Sequence, residues 1–264
     1  MAEIADLWRE VRAGDHDRFL AIQLAPSAKR PALYVLTAFH LELARIAETV
    51  SEPMLGQIRL TWWREALEEI ISGKASRNHP VVQGLAELYK QQPAMFMPLL
   101  QMIEARMADI DESLLATKDG WESYLDGTAG ALHYAFALVL DGTAAEKHSA
   151  TIVEQARAYA KIGLIRAIPY MSAQGFMRFP QSSVESHGIN DLSQSRGLAN
   201  FARETVSAIE LKPHALPRSL LPLRGLARLG LLHRKSILQV GGDPFRVIPT
   251  RLAAVCSIYQ IKYF

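Results

Sequence analysis

The sequence predicts an all-α fold, and three observations lead to that prediction. Apolar residues recur at steps of three and four, as on the buried face of an α-helix. Residues that cap or break helices, such as Pro53 and Gly73, stand where these segments begin and end. No stretch alternates apolar and β-branched residues with polar ones for long enough to indicate a sheet. Because no repeat or flexible linker divides the chain, we expect residues 1–264 to form a single multi-helix domain.

The first long helix is predicted from an apolar stripe that ends near residue 50. The stripe consists of Leu36, Phe39, Leu43, Ile46 and Val50. The opposite side is expected to carry Thr37, Glu42, Arg45, Glu48 and Thr49. Glu42–Arg45 and Arg45–Glu48 are i, i+3 pairs, so these charges could neutralise one another on a solvated face. The alternative is that the row of charges belongs to a binding site.

The next helix is predicted to begin at Ser51, which can cap it, and to end at Gly73. Its expected apolar stripe is Leu55, Ile58, Trp62, Ala66 and Ile70. Trp62 and Trp63 are adjacent and must face different directions. We therefore expect one of them in the core and the other at the surface or an interface.

Helical patterns continue to the end of the chain. Further helices are predicted at about 79–91, 94–108, 119–140, 144–168, 193–211, 217–240 and 249–263. Pro169 is expected to break the helix before it, and residues 172–190 are expected to form a loop. Helix 217–240 carries Arg224, Arg228 and Lys235 on one face, which fits either a core-packed helix with a solvated basic face or one lying on an anionic membrane.

Composition excludes several classes of protein. The net charge is +2, which gives no reason to expect nucleic acid as a partner. Cys256 is the only cysteine, so no internal disulfide or cysteine-rich metal site can form. The N-terminus carries early acids and resembles neither a signal nor a transit peptide, and the longest apolar run, 132–140, is far below the ~20 residues that span a bilayer. We expect a cytoplasmic protein, with peripheral contact at the inner face of a membrane as an option.

Common catalytic motifs do not occur in this sequence. It contains no P-loop, no dinucleotide-binding glycine fingerprint after a strand, no HExxH and no GxSxG. The eight histidines are scattered, and we expect His40, His133 and His233 to be structural or surface residues. Cys256 lies on an apolar segment and is expected to be a packed thiol.

Several stretches together resemble the squalene/phytoene synthase family, the head-to-head branch of the trans-isoprenyl diphosphate synthases. In the first stretch, an apolar segment is followed by a basic pair and then by a helix. The residues that match the family's spacing there are Leu24, Pro26, Lys29, Arg30, Tyr34, Ala38 and Phe39. The others match at Trp63, Arg64, Ala129, Gly130, Arg166, Gly175 and Pro180. The resemblance covers about residues 15–245 and implies the isoprenoid (terpenoid) synthase fold, a helical bundle around a central cavity.

The family's reaction ionises an allylic diphosphate with Mg²⁺ held by two aspartate-rich motifs on facing helices. The first motif falls on residues 44–48, where only Glu48 offers a carboxylate and Arg45 brings a positive charge. The second falls on residues 163–171, where Arg166 remains but the asparagine and both aspartates do not. The resemblance therefore implies a fold whose metal ligands are missing, so we expect no cofactor.

The stretches SEPMLGQIRLTWWREAL and LIRAIPYMSAQGFMRFP look like one aspartate-less subgroup of the family. That subgroup is related to a mitochondrial complex I assembly factor, and an Arg-Ala-x-Pro-Tyr run there stands where the enzymes have Arg-Asp. Here the run is residues 166–170. The match implies a role in assembling a respiratory complex, with a respiratory-complex subunit or assembly factor as partner and a prenyl or quinone-like lipid as a candidate ligand.

The candidate residual pocket is formed by Arg45, Glu48, Tyr124, Arg166 and Tyr170. Tyr124 is expected either to line a cavity through its hydroxyl or to be a core tyrosine with a satisfied hydroxyl.

Three hypotheses follow for the function. A non-catalytic binding or assembly protein is the leading one. The alternative is an Mg²⁺-dependent prenyl transferase with unusual ligands among Glu42, Glu48, Glu65 and Glu68, and it requires these carboxylates to converge with Arg166 on a deep apolar cavity. Closure of the cavity by Tyr170, Met171 or an Arg45 ion pair would exclude it. A plain helical structural subunit would have no cavity.

Overall fold

The computed structural model describes residues 6–50, 52–189, 196–247, 254–256 and 258. These residues form thirteen α-helices and no strand, which confirms the predicted all-α fold class. The helices are α1 Leu7–Gly14, α2 His16–Ile22, α3 Arg30–Thr49, α4 Pro53–Ile71, α5 Pro80–Gln91, α6 Phe96–Ala105, α7 Lys118–Leu125, α8 Ala131–Leu140, α9 Gly142–Lys147, α10 Ser149–Gln174, α11 Gln181–Ser186, α12 Arg196–Ser207 and α13 Leu221–Gln239. The prediction of a single domain over residues 1–264 stays a prediction.

The long helix α3 lies at the centre of the N-terminal half, where it packs against α1, α5 and α8. Its predicted stripe is buried from Leu36 to Ile46, but α3 ends at Thr49 and Val50 lies outside it. Thr37, which was expected on the polar side, is fully buried. Its hydroxyl donates a hydrogen bond of 2.8 Å to the carbonyl of Leu33, so the polar atom is satisfied within the helix itself.

The predicted stripe of α4 is wrong by about one residue. Leu55 and Ile58 are exposed, Ile58 to 58%, whereas Leu60, Trp63 and Leu67 are buried with the correctly predicted Ala66 and Ile70. Trp63 packs edge-on against Phe39, and this contact fixes which side of α4 faces the core. Trp62 is only half-buried, as expected for one member of the pair. The predicted cap Ser51 lies outside the described residues.

Helix α10 continues through Pro169, so the prediction that this residue breaks the helix is wrong. A proline inside a helix costs about 3 kcal/mol because it removes a hydrogen bond and crowds the preceding turn. The residues around it, Ile165, Ile168 and Met171, are almost completely buried, and their burial offsets that cost. The helix ends instead at Gln174, and Gly175 caps it in the left-handed conformation, with a φ of 73°.

The segment predicted as one helix over 119–140 contains a widened turn. Asp126–Gly130 forms a π-helix between α7 and α8, and such turns are frequent at functional sites. The hydroxyl of Thr128 donates a hydrogen bond of 2.7 Å to the carbonyl of Tyr124 across this turn. The buried hydroxyl of Thr128 is therefore satisfied by the backbone of α7.

The C-terminal third differs from the predictions in three places. The predicted loop 172–190 contains α11, and Arg224 of α13 is buried against His214, so the three basic residues do not share one solvated face. Cys256 is exposed, not packed. Most of the helix predicted at 249–263 lies outside the described residues.

Two groups of buried apolar residues form the core. One joins α1 to α6 with α8, and the other joins α7, α10, α12 and part of α13. Fully buried side chains such as Phe39, Leu43 and Phe136 each contribute about 1.5–3 kcal/mol relative to exposure. Helices from both groups supply the walls of a central cavity.

Candidate functional site

A cavity of about 710 Å³ opens between α2, α3, the π turn, α10 and α13. Small residues of α10, among them Ala160, Gly163 and Ala167, leave the space on one wall. The facing walls are strongly polar. Their polar side chains are Asp15, His16, Asp17, Arg18, His40, Arg106, Tyr124, Tyr159, Arg166, Arg178, His233 and Ser236. The existence of this cavity argues against the plain structural subunit.

The charges of α2 are placed in the cavity by its own capping arrangement. Asp15 is the N-cap residue, and its carboxylate accepts a hydrogen bond of 2.9 Å from the backbone N–H of Arg18. The same carboxylate pairs with the Arg18 side chain. Asp17 and Arg18 are therefore held in the first turn of α2, at the wall of the cavity.

Asp17 joins three elements of the fold that are distant in sequence. It accepts hydrogen bonds from Arg166 Nη1 of α10 at 2.9 Å, from His233 Nε2 of α13 at 2.7 Å, and from the Tyr159 hydroxyl at 3.3 Å. Burial on its own would raise the pKa of Asp17. The hydrogen bonds and charges of His233 and Arg166 outweigh burial and lower the pKa well below the usual range. Asp17 is therefore a permanent carboxylate.

Asp109 is a second such centre, and it binds three side chains that line the cavity, those of Arg106, Tyr124 and Arg178. Its two oxygens accept hydrogen bonds of 2.8 Å from Arg106 Nη1 and from the Tyr124 hydroxyl, and Arg178 Nε forms an ion pair with it at 3.0 Å. Burial and the adjacent Asp109 raise the pKa of Tyr124 to about 12, so its hydroxyl keeps its proton. Tyr124 thus both lines the cavity and has a satisfied hydroxyl, which combines the two alternatives expected for it.

His40, His133 and His233 are buried or line the cavity, and none is a surface residue. Burial, and then the nearby positive charge of Arg106, lowers the pKa of His40 well below its ordinary value. Burial, and then the positive charge of Arg18, lowers the pKa of His133 well below its ordinary value. Arg106 Nη2 lies 3.4 Å from Nδ1 of His40, so the neutral imidazole can accept a hydrogen bond there.

Only two of the five candidate pocket residues line this cavity, Tyr124 and Arg166. Glu48 accepts a hydrogen bond of 2.9 Å from the Tyr170 hydroxyl at the exposed end of α3. Arg45 lies 3.7 Å from Glu42 and lines a separate groove of about 330 Å³ between α3 and α4, which includes Trp62 and Trp63. The carboxylates named for the enzyme alternative do not converge on the large cavity, which neither Tyr170 nor Met171 lines.

Sequence reasoning missed Asp17, Arg106, Asp109 and Arg178. Arg178 lies in a stretch that carried the family resemblance, and the dense run of charges at residues 15–18 was a second signal. Nothing in the local sequence indicated that Arg106 and Asp109 face the same cavity.

The donor set of the cavity does not fit the Mg²⁺ ions that the family's reaction uses. Magnesium takes carboxylate oxygens as ligands, usually shared with phosphate. In the described part of the chain, no three His, Cys, Asp or Glu side chains are grouped so that they could hold a metal ion. Each cavity carboxylate already binds an arginine at short range, so a divalent cation would have to displace that arginine.

Comparison with known proteins matches residues 11–211 to the family model for squalene/phytoene synthase. The chain belongs to the squalene/phytoene synthase family. Among solved structures, it is similar to a dehydrosqualene synthase in complex with ligand, with a TM-score of 0.78 and 16% identity over 98% of this chain and 95% of that one. It is also similar to the squalene synthase HpnC from Alicyclobacillus acidocaldarius, with a TM-score of 0.72 and 17% identity over 92% and 95%. These likenesses confirm the isoprenoid synthase fold.

The curated relatives of this squalene/phytoene synthase family member are named as assembly factors and not as synthases. The chain is 24% identical over 207 residues to NADH dehydrogenase (ubiquinone) complex I, assembly factor 6 of Bos taurus, covering 76% of the chain and 61% of that protein. It is 25% identical over 181 residues to the Mus musculus protein of the same name, covering 68% and 54%. The matches thus span little more than half the length of these relatives.

Among the described residues, no helix is both long enough and apolar enough to cross a membrane.

Proposed function

We propose that this squalene/phytoene synthase family member is a non-catalytic binding protein that acts in the assembly of respiratory complex I. The observation that carries the proposal is its similarity to proteins named as complex I assembly factor 6. The cavity supports it, because the carboxylates of Asp17 and Asp109 already bind arginines and are not free to hold a metal ion. A respiratory-complex subunit or another assembly factor is the proposed partner.

A small molecule in the cavity is the second part of the proposal. The volume of about 710 Å³ lies in the range of small-molecule sites, and arginine and tyrosine donors face a wall of small side chains. A prenyl or quinone-like lipid, whose polar head binds near Arg166 and Tyr124, is the proposed ligand. Peripheral contact with a membrane at the cytoplasmic face would give access to such a lipid.

A deletion strain tests the assembly role. We expect loss of the gene to lower NADH:quinone oxidoreductase activity and the amount of fully assembled complex I on native gels, and a plasmid copy to restore both. Unchanged complex I in the deletion strain would contradict the proposal. Succinate dehydrogenase activity, which does not depend on complex I, is the control for general membrane damage.

The absence of prenyl-transfer chemistry is tested separately with purified protein. We expect no pyrophosphate release from farnesyl or geranylgeranyl diphosphate at any Mg²⁺ concentration, with an active family enzyme alongside as the positive control. Mg²⁺-dependent release that disappears in Glu48→Ala would instead establish the prenyl transferase with unusual ligands.

A further inference from the structure

The outer face of α4 carries an apolar stripe at the surface. Among the described residues, seven large apolar side chains are exposed, and Met54, Leu55 and Ile58 lie together within little more than one turn of this helix. The half-buried Trp62 continues the row by one further turn. Single exposed apolar residues are ordinary, but a row at helical spacing indicates a contact surface. These four residues are called the α4 stripe below.

The buried side of α4 fixes the orientation of this stripe. Leu60, Trp63 and Leu67 are almost fully buried, and Trp63 packs edge-on against Phe39. A rotation of α4 that covered Ile58 would expose these side chains to water. The stripe is therefore a feature of the folded surface and not a core face out of place.

A groove of about 330 Å³ runs beside the stripe, between α4 and α3. Trp62 belongs to both, and its ring stands edge-on to those of Trp63 and His79, with centroids 5.0 and 5.8 Å away. Nδ1 of His79 is buried and has no hydrogen-bond partner in the described part of the chain. Because an unpaired buried polar atom is costly, the groove favours a partner that supplies a polar side chain there.

The charges of the groove are unequal. Besides His79, its titratable side chains are Arg45, Arg59 and Glu42. Glu42 lies 3.7 Å from Arg45, whereas Arg59 donates a hydrogen bond of 2.6 Å to the Thr49 hydroxyl and forms no ion pair with a described residue. One positive charge is therefore in excess, next to the stripe. The complementary surface is apolar with a carboxylate at its edge.

Two other occupants fit these charges less well. Glu52, Glu65 and Glu68 are exposed on α4, and the headgroups of an anionic membrane would repel them. A second copy of the chain, paired symmetrically through this face, would bring two grooves with an excess of positive charge into one interface. A different protein with an acidic edge avoids both costs.

We propose that the α4 stripe and its groove bind an amphipathic α-helix of a partner protein, and that a carboxylate of this helix pairs with Arg59. Met54, Ile58 and Trp62 follow one another at i, i+4 and i+8, a row of about 12 Å that matches two turns of a docked helix. The proposal rests on this surface and not on the assembly role, so it goes beyond the function proposed above.

Site-specific photo-crosslinking in cells tests the proposal. The deletion strain produces the full chain as Ile58→p-benzoylphenylalanine or, as the matched control, as Met97→p-benzoylphenylalanine, because Met97 is 63% exposed on α6 and outside the stripe. We expect one protein adduct at position 58, roughly tenfold more abundant than any at position 97. Mass spectrometry should locate the cross-link in an amphipathic helix with Asp or Glu beside its apolar residues.

A second substitution in the position-58 probe protein tests the charge pairing. Arg59→Gln should lower the adduct yield roughly tenfold, because the carboxylate loses its partner. Arg64→Gln, at an exposed arginine of the same helix that pairs with Glu104, should change the yield less than twofold. Arg59→Glu should abolish the adduct, and a lysine in place of the acidic residue of the captured helix should restore it. A general loss of structure could not give that rescue.

Any of five results would overturn the proposal. These are an adduct with phospholipid, an adduct with a second copy of the chain, an adduct with a protein segment that has no acidic residue, equal adducts at positions 58 and 97, and an adduct whose yield is unchanged in Arg59→Gln. Complex I activity is a separate measurement. A specific adduct in a strain whose complex I does not depend on this gene would support the docked helix and contradict the assembly role.

Discussion

The cavity and the exposed end of α3 both carry paired charges, but the two regions hold them differently. At the wall of the cavity, the Asp109 side chain is 2% exposed, accepts two short hydrogen bonds and forms an ion pair with Arg178. At the end of α3, the Arg45 side chain is 47% exposed and lies 3.7 Å from Glu42. Water screens the exposed Arg45–Glu42 pair. Asp109 is buried, so water could not solvate its charge if a partner were lost. The end of α3 is where the family's first metal motif falls, but the buried charges of this fold lie at the cavity. The position of a family motif therefore does not by itself locate the buried charges.

Removing Asp109 is expected to have the largest effect on stability. Asp109→Ala would leave Arg106 and Arg178 without their carboxylate, and breaking a buried ion pair costs about 3–5 kcal/mol. Urea denaturation at pH 7 measures the free energy of unfolding. Glu87→Ala, which removes an exposed i, i+3 partner of Lys90, is the control and should cost less than about 1 kcal/mol. Equal losses in the two variants would mean that burial does not distinguish these pairs.

Asp17→Asn tests the other centre of the cavity, with a smaller expected effect. The amide keeps the shape but loses the charge-assisted bonds from Arg166 and His233, which we expect to cost about 2 kcal/mol at pH 7. The folded-state pKa of Asp17 is lowered, so its stabilising contribution is complete above the unfolded pKa of about 3.9 and is lost as the pH falls below it.

The difference between the unaltered protein and Asp17→Asn should therefore shrink as the pH falls below about 4, where the unfolded carboxylate takes up a proton. Urea denaturation at four pH values measures it. The charged and titratable groups facing Asp17 are Arg18, Arg166, His233 and Tyr159. A difference that grows as the pH falls from about 4 would contradict the assignment of a lowered pKa.

The sequence predicted the fold class and most helices well, because apolar periodicity and capping are local properties. Helix α5 begins within one residue of the prediction and ends at the predicted residue. The site was predicted less well, since Arg106 and Asp109 meet Arg178 only after α10 and the segment behind it have packed. The prediction at Pro169 was wrong because the sequence shows only the local cost of a proline in a helix. The burial of Ile168 and Met171 offsets that cost, and it depends on the packing of the whole fold.

His40 tests the buried region through the pH dependence of the unfolding free energy. Its folded-state pKa is lowered by burial and by Arg106, with Arg18 and His133 as the other groups that face it, so protonation favours unfolding. Below its unfolded pKa of about 6.5, the protein should lose stability relative to His40→Asn by up to about 1.4 kcal/mol per pH unit. Urea denaturation of both proteins at pH 5, 6 and 7.5 measures this difference, and His133 cancels because both retain it. Parallel pH profiles would show that His40 is already accessible to protons.

The smallest effect is expected at the exposed end of α3, where Tyr170→Phe removes the hydrogen bond to Glu48. The Tyr170 residue is 50% exposed, so water can replace its hydroxyl as the donor to the carboxylate. We expect a change in unfolding free energy of less than about 0.5 kcal/mol, because the bond lies at the surface and neither residue lines the cavity. Tyr124→Phe is the matched variant inside the cavity. It removes a hydrogen bond to Asp109 from a buried site, and we expect it to cost about 1–3 kcal/mol. If both tyrosine variants changed stability equally, solvent exposure would not be what separates the two regions.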